Sequence, residues 1–109
     1  MCGIAGMVGM DCADSIRQSM LKSMERRGPD QNGIWHKGAV TLLHARLSVI
    51  DVEHGIQPMR WSGGERECVI VYNGELYNAD ELRAELSRRK HMLQTASDTE
   101  LVLHAYVEW

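Results

Sequence analysis

The sequence has no long hydrophobic run. Its 109 residues are 44% hydrophobic, but each apolar stretch is far shorter than the roughly 20 residues that a membrane-spanning helix needs. The first residues also lack the basic segment and apolar core of a secretory signal peptide. We therefore expect a cytoplasmic protein with no membrane partner.

Basic residues are not in excess either. Twelve Lys and Arg residues against 15 Asp and Glu residues give a formal net charge of −3. A nucleic-acid-binding domain normally carries a basic patch that neutralises phosphates. The composition therefore predicts no nucleic-acid partner, and the proportions of apolar and charged residues are those of one globular domain, residues 1–109.

Cysteine is scarce, and its spacing argues against two kinds of site. Cys2, Cys12 and Cys68 form no C-x-x-C pair, as a zinc ribbon or a thioredoxin-type redox site would require. A disulfide framework is not expected in a reducing cytosol. We expect Cys12 and Cys68 to be buried as small hydrophobic side chains. The five histidines show no convergent spacing with acids or cysteines, so no metal site is predicted.

Hydrophobic periodicity predicts a mixture of strands and helices. Apolar runs indicate strands, and recurrence at i, i+3 and i+4 indicates helices. The predicted strands are residues 3–8, 33–35, 39–43 and 68–72, and the predicted helices are residues 14–27, one following Asn78 and one following Ser97. Residues 51–64 are rich in Gly and are predicted to be a loop or hairpin connection. The expected fold class is α+β.

The helix ends carry sequence signals. Gly28 and Pro29 should stop the first helix. Asn78 and Ser97 are each followed three residues later by a glutamate, which predicts a capping box at the start of both later helices. The spacing in the last helix predicts an inner face formed by Val102, Ala105, Tyr106 and Trp109.

Cys2 is the one cysteine whose position suggests chemistry. A thiol with a pKa near about 8.5 is mostly protonated at neutral pH, so a catalytic cysteine needs a base. If Met1 is removed, the α-amino group of Cys2, with an ordinary pKa of about 7.7–8.0, can take that proton. The alternative is a buried small residue at the start of a strand, and the local sequence leaves both interpretations open.

Four other stretches have a distinctive polar composition. They are R-R-G-P-D at 26–30, H-A-R-L-S-V-I-D at 44–51, Y-N-G-E-L-Y-N at 72–78 and S-D-T-E at 97–100. Together with C-G-I-A-G at 2–6, and in this order, they resemble the N-terminal glutaminase domain of asparagine synthetases. That domain is a class II glutamine amidotransferase of the N-terminal-nucleophile hydrolase superfamily. The resemblance runs from residue 2 to about residue 108.

The resemblance implies a reaction and a role for individual residues. Cys2 resembles the nucleophile that attacks the side-chain amide of glutamine. The resulting thioester releases ammonia and is then hydrolysed to glutamate. Asn73 and Gly74 resemble an oxyanion hole, with donors from the Asn side chain and the Gly backbone. Without the flanking motifs, Asn-Gly would simply indicate a hairpin turn.

Other residues resemble contacts for the two charged ends of glutamine. Arg46 matches the arginine that holds the substrate carboxylate, for which a planar guanidinium is suited. Glu75 and Asp98 match groups that contact the α-ammonium, although Asp98 also suits the dipole of the following helix. Leu47, Val49 and Ile50 match positions that line the glutamine pocket.

Two further matches imply structural roles. In R-G-P-D, Arg27 and Asp30 are expected to pair and to hold a loop over the site. His44 also matches the family's histidine and is expected to be structural, because the amine of Cys2 already supplies the base. The S-G-G at 62–64 lacks the x-D-S of the family's ATP loop, so we interpret it as a turn.

The resemblance also implies what surrounds the site. The family's glutaminase domain is an αββα sandwich that continues past the segment matching Trp109, so the fold should be incomplete here. No cofactor is expected in this domain; ATP and Mg would belong to a synthetase domain absent from the chain. Unpaired sheet edges would favour a homo-oligomer. Two functions stay open: a glutaminase that supplies ammonia to a synthetase partner, or a non-catalytic relative that acts as an interaction or regulatory module.

Overall fold

The described chain forms one strand and one helix, then four consecutive strands, and then two helices. The computed structural model describes residues 1–48 and 53–109, which form five strands and three helices. In chain order these are β1 (Gly3–Val8), α1 (Asp14–Met24), β2 (Gln31–Lys37), β3 (Val40–Arg46), β4 (Met59–Gly63), β5 (Arg66–Ile70), α2 (Ala79–Arg88) and α3 (Asp98–Glu108). The predicted α+β class is confirmed.

The central strand of the larger sheet, sheet A, is β3. It pairs with β1 on one side and with β2 on the other, both antiparallel. The register places Gly3 opposite Ala45 and Gln31 opposite Arg46. The β2–β3 hairpin turns at Gly38, whose φ of 57° lies in the left-handed region that glycine enters easily. The start of β1 and the end of β3 therefore lie side by side.

The two faces of sheet A have different surroundings. A Cβ atom on Gly3 would lie 2.9 Å from Met24, so the face that carries Gly3 and its partner Ala45 packs against α1. Alternate residues of β3 point the other way. His44 and Arg46 therefore lie on the face opposite α1.

The second sheet, sheet B, is the β4–β5 hairpin, which turns at Gly64. Helix α3 packs against both of its strands, and α2 packs against α3. Leu86 of α2 and Leu101 of α3 are completely buried. Burial of a leucine side chain contributes about 1.5–3 kcal/mol, so these contacts help to hold α3 on sheet B and α2 on α3.

Two sequence predictions fail in this half of the chain. Strand β4 lies inside residues 51–64, which were expected to be a loop or a hairpin connection. The predicted inner face of α3 is wrong in part: Tyr106 is 70% and Trp109 is 65% exposed, and Val102 and Ala105 are only half-buried, whereas Leu101 and Leu103 are buried. The i, i+3, i+4 pattern fits more than one stripe on an apolar helix, and packing against α2 and sheet B selects the other stripe.

The helix ends agree only in part with the capping signals. Ser97 caps α3 by accepting a hydrogen bond from the Glu100 backbone N–H at 3.4 Å. The Glu100 carboxylate instead accepts from the backbone N–H groups of Gln94 (2.8 Å) and Thr95 (2.7 Å). Asn78 precedes α2 as predicted, but among the described residues its side chain makes no cap hydrogen bond.

Burial of the cysteines also differs from one position to the next. Cys12 is buried, as predicted, whereas Cys68 and Cys2 are only partly buried. All three thiols are free. Within the described residues, no helix combines the length and apolarity that a membrane crossing demands.

Gly28 is expected to be intolerant of any side chain. A Cβ atom there would lie 2.0 Å from the carbonyl oxygen of Ala45 and 2.5 Å from the backbone nitrogen of Arg46. Because backbone atoms of β3 cannot move aside, Gly28→Ala should lower the free energy of unfolding by about 1–3 kcal/mol or more.

Urea unfolding would measure this change. Gly38→Asn is the control, since no described atom lies within 4 Å of its Cβ position and asparagine tolerates the left-handed region. Equal unfolding midpoints for the two variants would contradict the assignment.

Candidate active site

A cleft of about 380 Å³ opens beside the C-terminal end of β3. Its wall contains every predicted site residue that the structure describes: Cys2, Arg46, Leu47, Asn73, Gly74, Glu75 and Asp98. The predicted pocket residues Val49 and Ile50 lie outside the described residues. Four separate segments of the chain therefore meet at one surface.

Cys2 lies immediately before β1 and contacts the segment that follows β3. The backbone N–H of Leu47 donates to Cys2 Sγ at 3.3 Å, and the thiol faces the Leu47 carbonyl at 3.5 Å. The Gly3–Ala45 pairing of β1 with β3 brings these two residues together. The thiol is therefore held on the cleft wall and is only partly buried.

The R-G-P-D segment, residues 27–30, makes hydrogen bonds both to Cys2 and to the chain around the end of β3. Arg27 Nε donates to the carbonyl of Cys2 at 3.3 Å. The Asp30 carboxylate accepts from the Ser48 N–H at 2.7 Å, and the Asp30 N–H donates to the Arg46 carbonyl at 2.9 Å. The predicted Arg27–Asp30 pair is therefore wrong: within the described chain each residue binds a different segment, one before β1 and one after β3.

Arg46 is a buried cation in the cleft wall, only 4% exposed. Its guanidinium donates to the side-chain carbonyl of Gln31 at 2.7 Å, the residue that faces it across β2 and β3. A buried charge needs compensating polar groups. The guanidinium is thus oriented from one side by the sheet while it contributes to the cleft.

Asn73 and Gly74 follow Tyr72 beyond the end of β5. A Cβ atom on Gly74 would lie 2.7 Å from the Tyr72 hydroxyl oxygen, so the tyrosine ring covers one side of the glycine. Burial raises the pKa of Tyr72, and the negative charges of Asp98 and Glu75 raise that pKa further. The phenol is therefore a neutral group beside two carboxylates.

Asp98 is the first residue of α3, but its carboxylate is directed away from the helix. Asp98 Oδ2 accepts from the backbone N–H of Leu76 at 2.8 Å. This bond ties the chain immediately after Glu75 to the start of α3. The two acids thus share one end of the cleft.

The cleft includes residues that sequence reasoning missed. They are Met1, Gly55, Gln57, Tyr72, Ser97 and Thr99. Tyr72 and Ser97 lie inside recognised motifs, but Gly55 and Gln57 lie in residues 51–64, where Gly and Pro indicated only a connection. A buried glutamine has no sequence signature, because its burial depends on partners that are distant in the chain.

His44 is buried behind Arg46, with 1% of its surface exposed. Burial lowers the pKa of His44; the Tyr72 backbone opposes this shift and the Arg46 charge adds to it. Neither ring nitrogen has a hydrogen-bond partner of normal geometry among the described residues. The lowered pKa favours the neutral form of this buried imidazole, and His44 is not among the residues that line the cleft.

Two sequence predictions remain, on the S-G-G stretch and on metal binding. Ser62 and Gly63 end β4 and Gly64 turns the hairpin, which agrees with a turn at the S-G-G. Residues 1–48 and 53–109 contain no group of three His, Cys, Asp or Glu side chains that could hold a metal ion.

A thiol, a buried guanidinium, an Asn-Gly pair and two carboxylates line one cleft, and comparison with known proteins shows the family of the chain. The chain belongs to the family described as glutamine amidotransferase domain, which matches residues 1–109. The predicted enzyme class is therefore confirmed.

The curated relatives are named as asparagine synthetases. The chain is 42% identical to asparagine synthetase [glutamine-hydrolyzing] 3 of Bacillus subtilis over 115 residues, which is 100% of the chain and 18% of that protein. It is 44% identical to a putative enzyme of the same name from Mycobacterium tuberculosis over 117 residues, 98% of the chain and 18% of that protein. For asparagine synthetase [glutamine-hydrolyzing] 1 of Arabidopsis thaliana the identity is 36% over 115 residues, with 100% and 19% covered.

Replacing His44 with leucine should flatten the pH dependence of stability. The folded-state pKa of His44 lies below the ordinary value of 6.5, so the unfolded chain binds more protons as the pH falls through that value. The parent chain should therefore lose stability as the pH falls from about 6.5 toward the lowered folded-state pKa, and not above that window. Leucine does not titrate and removes this part of the loss.

Urea midpoints at about pH 7.5, 6.5 and 5.5 would test the His44 prediction. The difference in midpoint between the parent chain and His44→Leu should change as the pH falls. A constant difference at all three pH values would contradict it.

Proposed function

We propose that this chain, after loss of Met1, hydrolyses glutamine to glutamate and ammonia through a thioester at Cys2. The ammonia would pass to an asparagine-synthetase-type amidation. One observation carries the proposal: Cys2, Arg46, Asn73-Gly74 and Asp98 come from separate segments and line a single cleft.

The cleft offers opposite charges for the two ends of the substrate. The Arg46 guanidinium would bind the α-carboxylate, since its planar donors match a carboxylate. Asp98 and Glu75 would bind the α-ammonium, and the bond from Leu76 holds Asp98 in place for this contact. The side-chain amide of glutamine would then face Cys2.

The chemistry begins with the α-amino group of Cys2. It takes the thiol proton, and the sulfur attacks the amide carbon of glutamine. The carbonyl oxygen becomes an oxyanion, which the Asn73 side chain and the Gly74 N–H would stabilise. The C–N bond breaks as the protonated α-amine of Cys2 gives its proton to the departing amide nitrogen, which leaves as ammonia. Water then attacks the thioester; the Cys2 amine takes its proton and returns it to the sulfur as the C–S bond breaks, so glutamate is released and the thiol is restored.

Met1 prevents this sequence while it is attached. The free amine then belongs to Met1 and not to Cys2. Met1 also forms part of the cleft wall, with 74% of its own surface exposed. Removal of Met1 would therefore supply the base and widen the cleft in one step.

The proposed reaction needs no cofactor, because Cys2 provides both nucleophile and base. ATP and Mg would act in a synthetase domain or subunit that receives the ammonia. The chain spans about 18% of the length of the curated relatives it matches. We place the reaction in the cytoplasm, where the free Cys2 thiol stays reduced.

The proposed fold is part of the αββα sandwich of N-terminal-nucleophile hydrolases, with residues 1–109 as part of its glutaminase domain. Its support is that α1 packs on sheet A and α3 packs on sheet B. The two sheets also approach each other. Lys37 of β2 forms an ion pair with Glu67 of β5 at 3.0 Å, and Leu42 and Val69 line one groove between the sheets.

We further propose that the chain self-associates through its exposed apolar edges. Ile4 and Val8 on edge strand β1 are 48% and 81% exposed, and Ile34 on edge strand β2 is 38% exposed. Unpaired edges with apolar side chains favour pairing between chains. Sedimentation at micromolar concentration should show a dimer or larger species, and a single monomeric species would contradict this.

Glutamate release that depends on Cys2 tests the proposed activity. Cys2→Ala should reduce kcat to background, since loss of a nucleophile costs on the order of 10⁶ in other enzymes. Intact mass measures the share of each preparation that lacks Met1. The rate of the parent chain should rise in proportion to that share.

Two controls make the result specific. Cys68→Ala removes another partly buried thiol outside the cleft and should leave the rate unchanged. If Met1-free protein releases no glutamate in excess of Cys2→Ala, the alternative function holds, that of a non-catalytic interaction or regulatory module.

A further inference from the structure

We infer that Gln57 is a positioning residue for the oxyanion-binding segment, residues 72–74. The inference rests on the proposed function, because the catalytic role of that segment does. Gln57 precedes β4, lies in the cleft wall and is 7% exposed. No motif of the sequence singled it out.

The side chain of Gln57 pairs with both backbone groups of Tyr72. Gln57 Oε1 accepts from the Tyr72 N–H at 2.6 Å, and Gln57 Nε2 donates to the Tyr72 carbonyl at 3.1 Å. This is the two-bond pairing of neighbouring antiparallel residues, made here by a side-chain amide. Tyr72 lies past Ile70, the last residue of β5. The side-chain amide of Gln57 therefore supplies strand-like hydrogen bonds at a position where β5 has already ended.

Fixing Tyr72 fixes the residues that follow it. The peptide bond is planar, so the Tyr72 carbonyl and the Asn73 N–H belong to one rigid unit. A bond to that carbonyl sets the direction in which the chain enters Asn73. The ring of Tyr72 in turn stands against Gly74. One glutamine therefore controls the approach to both proposed oxyanion donors.

Gln57 is itself anchored at two further points. Its backbone carbonyl packs on Gly33 of β2, where a Cβ atom would lie only 1.8 Å away. Its Nε2 also donates to Thr99 Oγ1 at 2.9 Å, beside Asp98 at the start of α3. Gln57 thus joins sheet A, the oxyanion-binding segment and the helix that carries the proposed ammonium contact.

Only an amide makes all three side-chain bonds. Glutamate keeps the acceptor for the Tyr72 N–H but loses both donors, and methionine keeps the length but loses donors and acceptor. Gln57→Met should release the Tyr72 backbone with little change in volume. Gln57→Glu should release the Tyr72 carbonyl but keep the hydrogen bond from the Tyr72 N–H.

Kinetics and amide exchange on the Met1-free chain test this inference. The oxyanion exists only during reaction, so Gln57→Met should lower kcat by about 10²-fold, whereas KM changes by less than about threefold. Alkylation of Cys2 by iodoacetamide uses no oxyanion hole and should keep its rate. The exchange of the Tyr72 amide proton should become about tenfold faster, because its hydrogen bond is lost.

Gln18→Met is the matched control, since Gln18 is exposed on α1; it should match the parent chain in every measurement. Gln57→Glu is the second variant if Gln57→Met does not fold, and a kcat about tenfold lower is expected for it. A parallel loss of kcat and Cys2 alkylation would overturn the inference, as would unchanged Tyr72 exchange in Gln57→Met. If the parent chain lacks Cys2-dependent activity, the proposed function fails, and Tyr72 exchange still decides whether Gln57 holds the segment.

Discussion

The pairing of β3 with its two neighbours is the constraint on which the site depends. It places Gly3 opposite Ala45 and Gln31 opposite Arg46. The first pair carries Cys2 to Leu47, and the second supplies the side chain that orients the guanidinium. A slip of one residue would turn every side chain of β3 to the opposite face. Arg46 would then point at α1 and the cleft would lose its cation.

Some features of this arrangement can be predicted from the sequence and others cannot. The existence of most elements follows from periodicity, because a strand or helix records its own pattern locally. Cys2, Arg46, Asn73 and Asp98 could be selected because short motifs surround them. The inner face of α3 could not be selected, since residues 101–107 are apolar except for His104 and offer several equivalent stripes, among which only the packing partners choose.

Polar partners separated by long stretches of chain are the least predictable part of the site. Arg27 and Asp30 belong to one motif, the R-G-P-D, from which a pair was expected, yet they bind Cys2 and Ser48 instead. Gln57 lies in a stretch whose composition indicates only a connection, and its partner Tyr72 is 15 positions away. Hydrogen bonds of this kind depend on the assembled fold and leave no local pattern.

The bond from Arg27 to the Cys2 carbonyl has a consequence for the timing of processing. Chain ends usually fray, but here the second residue is fixed by that bond and the third already belongs to β1. An aminopeptidase must bind the terminal peptide bond in its own active site, and in the folded chain only Met1 is accessible for that binding. Under the proposed function, Met1 would therefore be removed from the nascent polypeptide, before β1 has joined the sheet, and a chain that folds with Met1 attached would stay inactive.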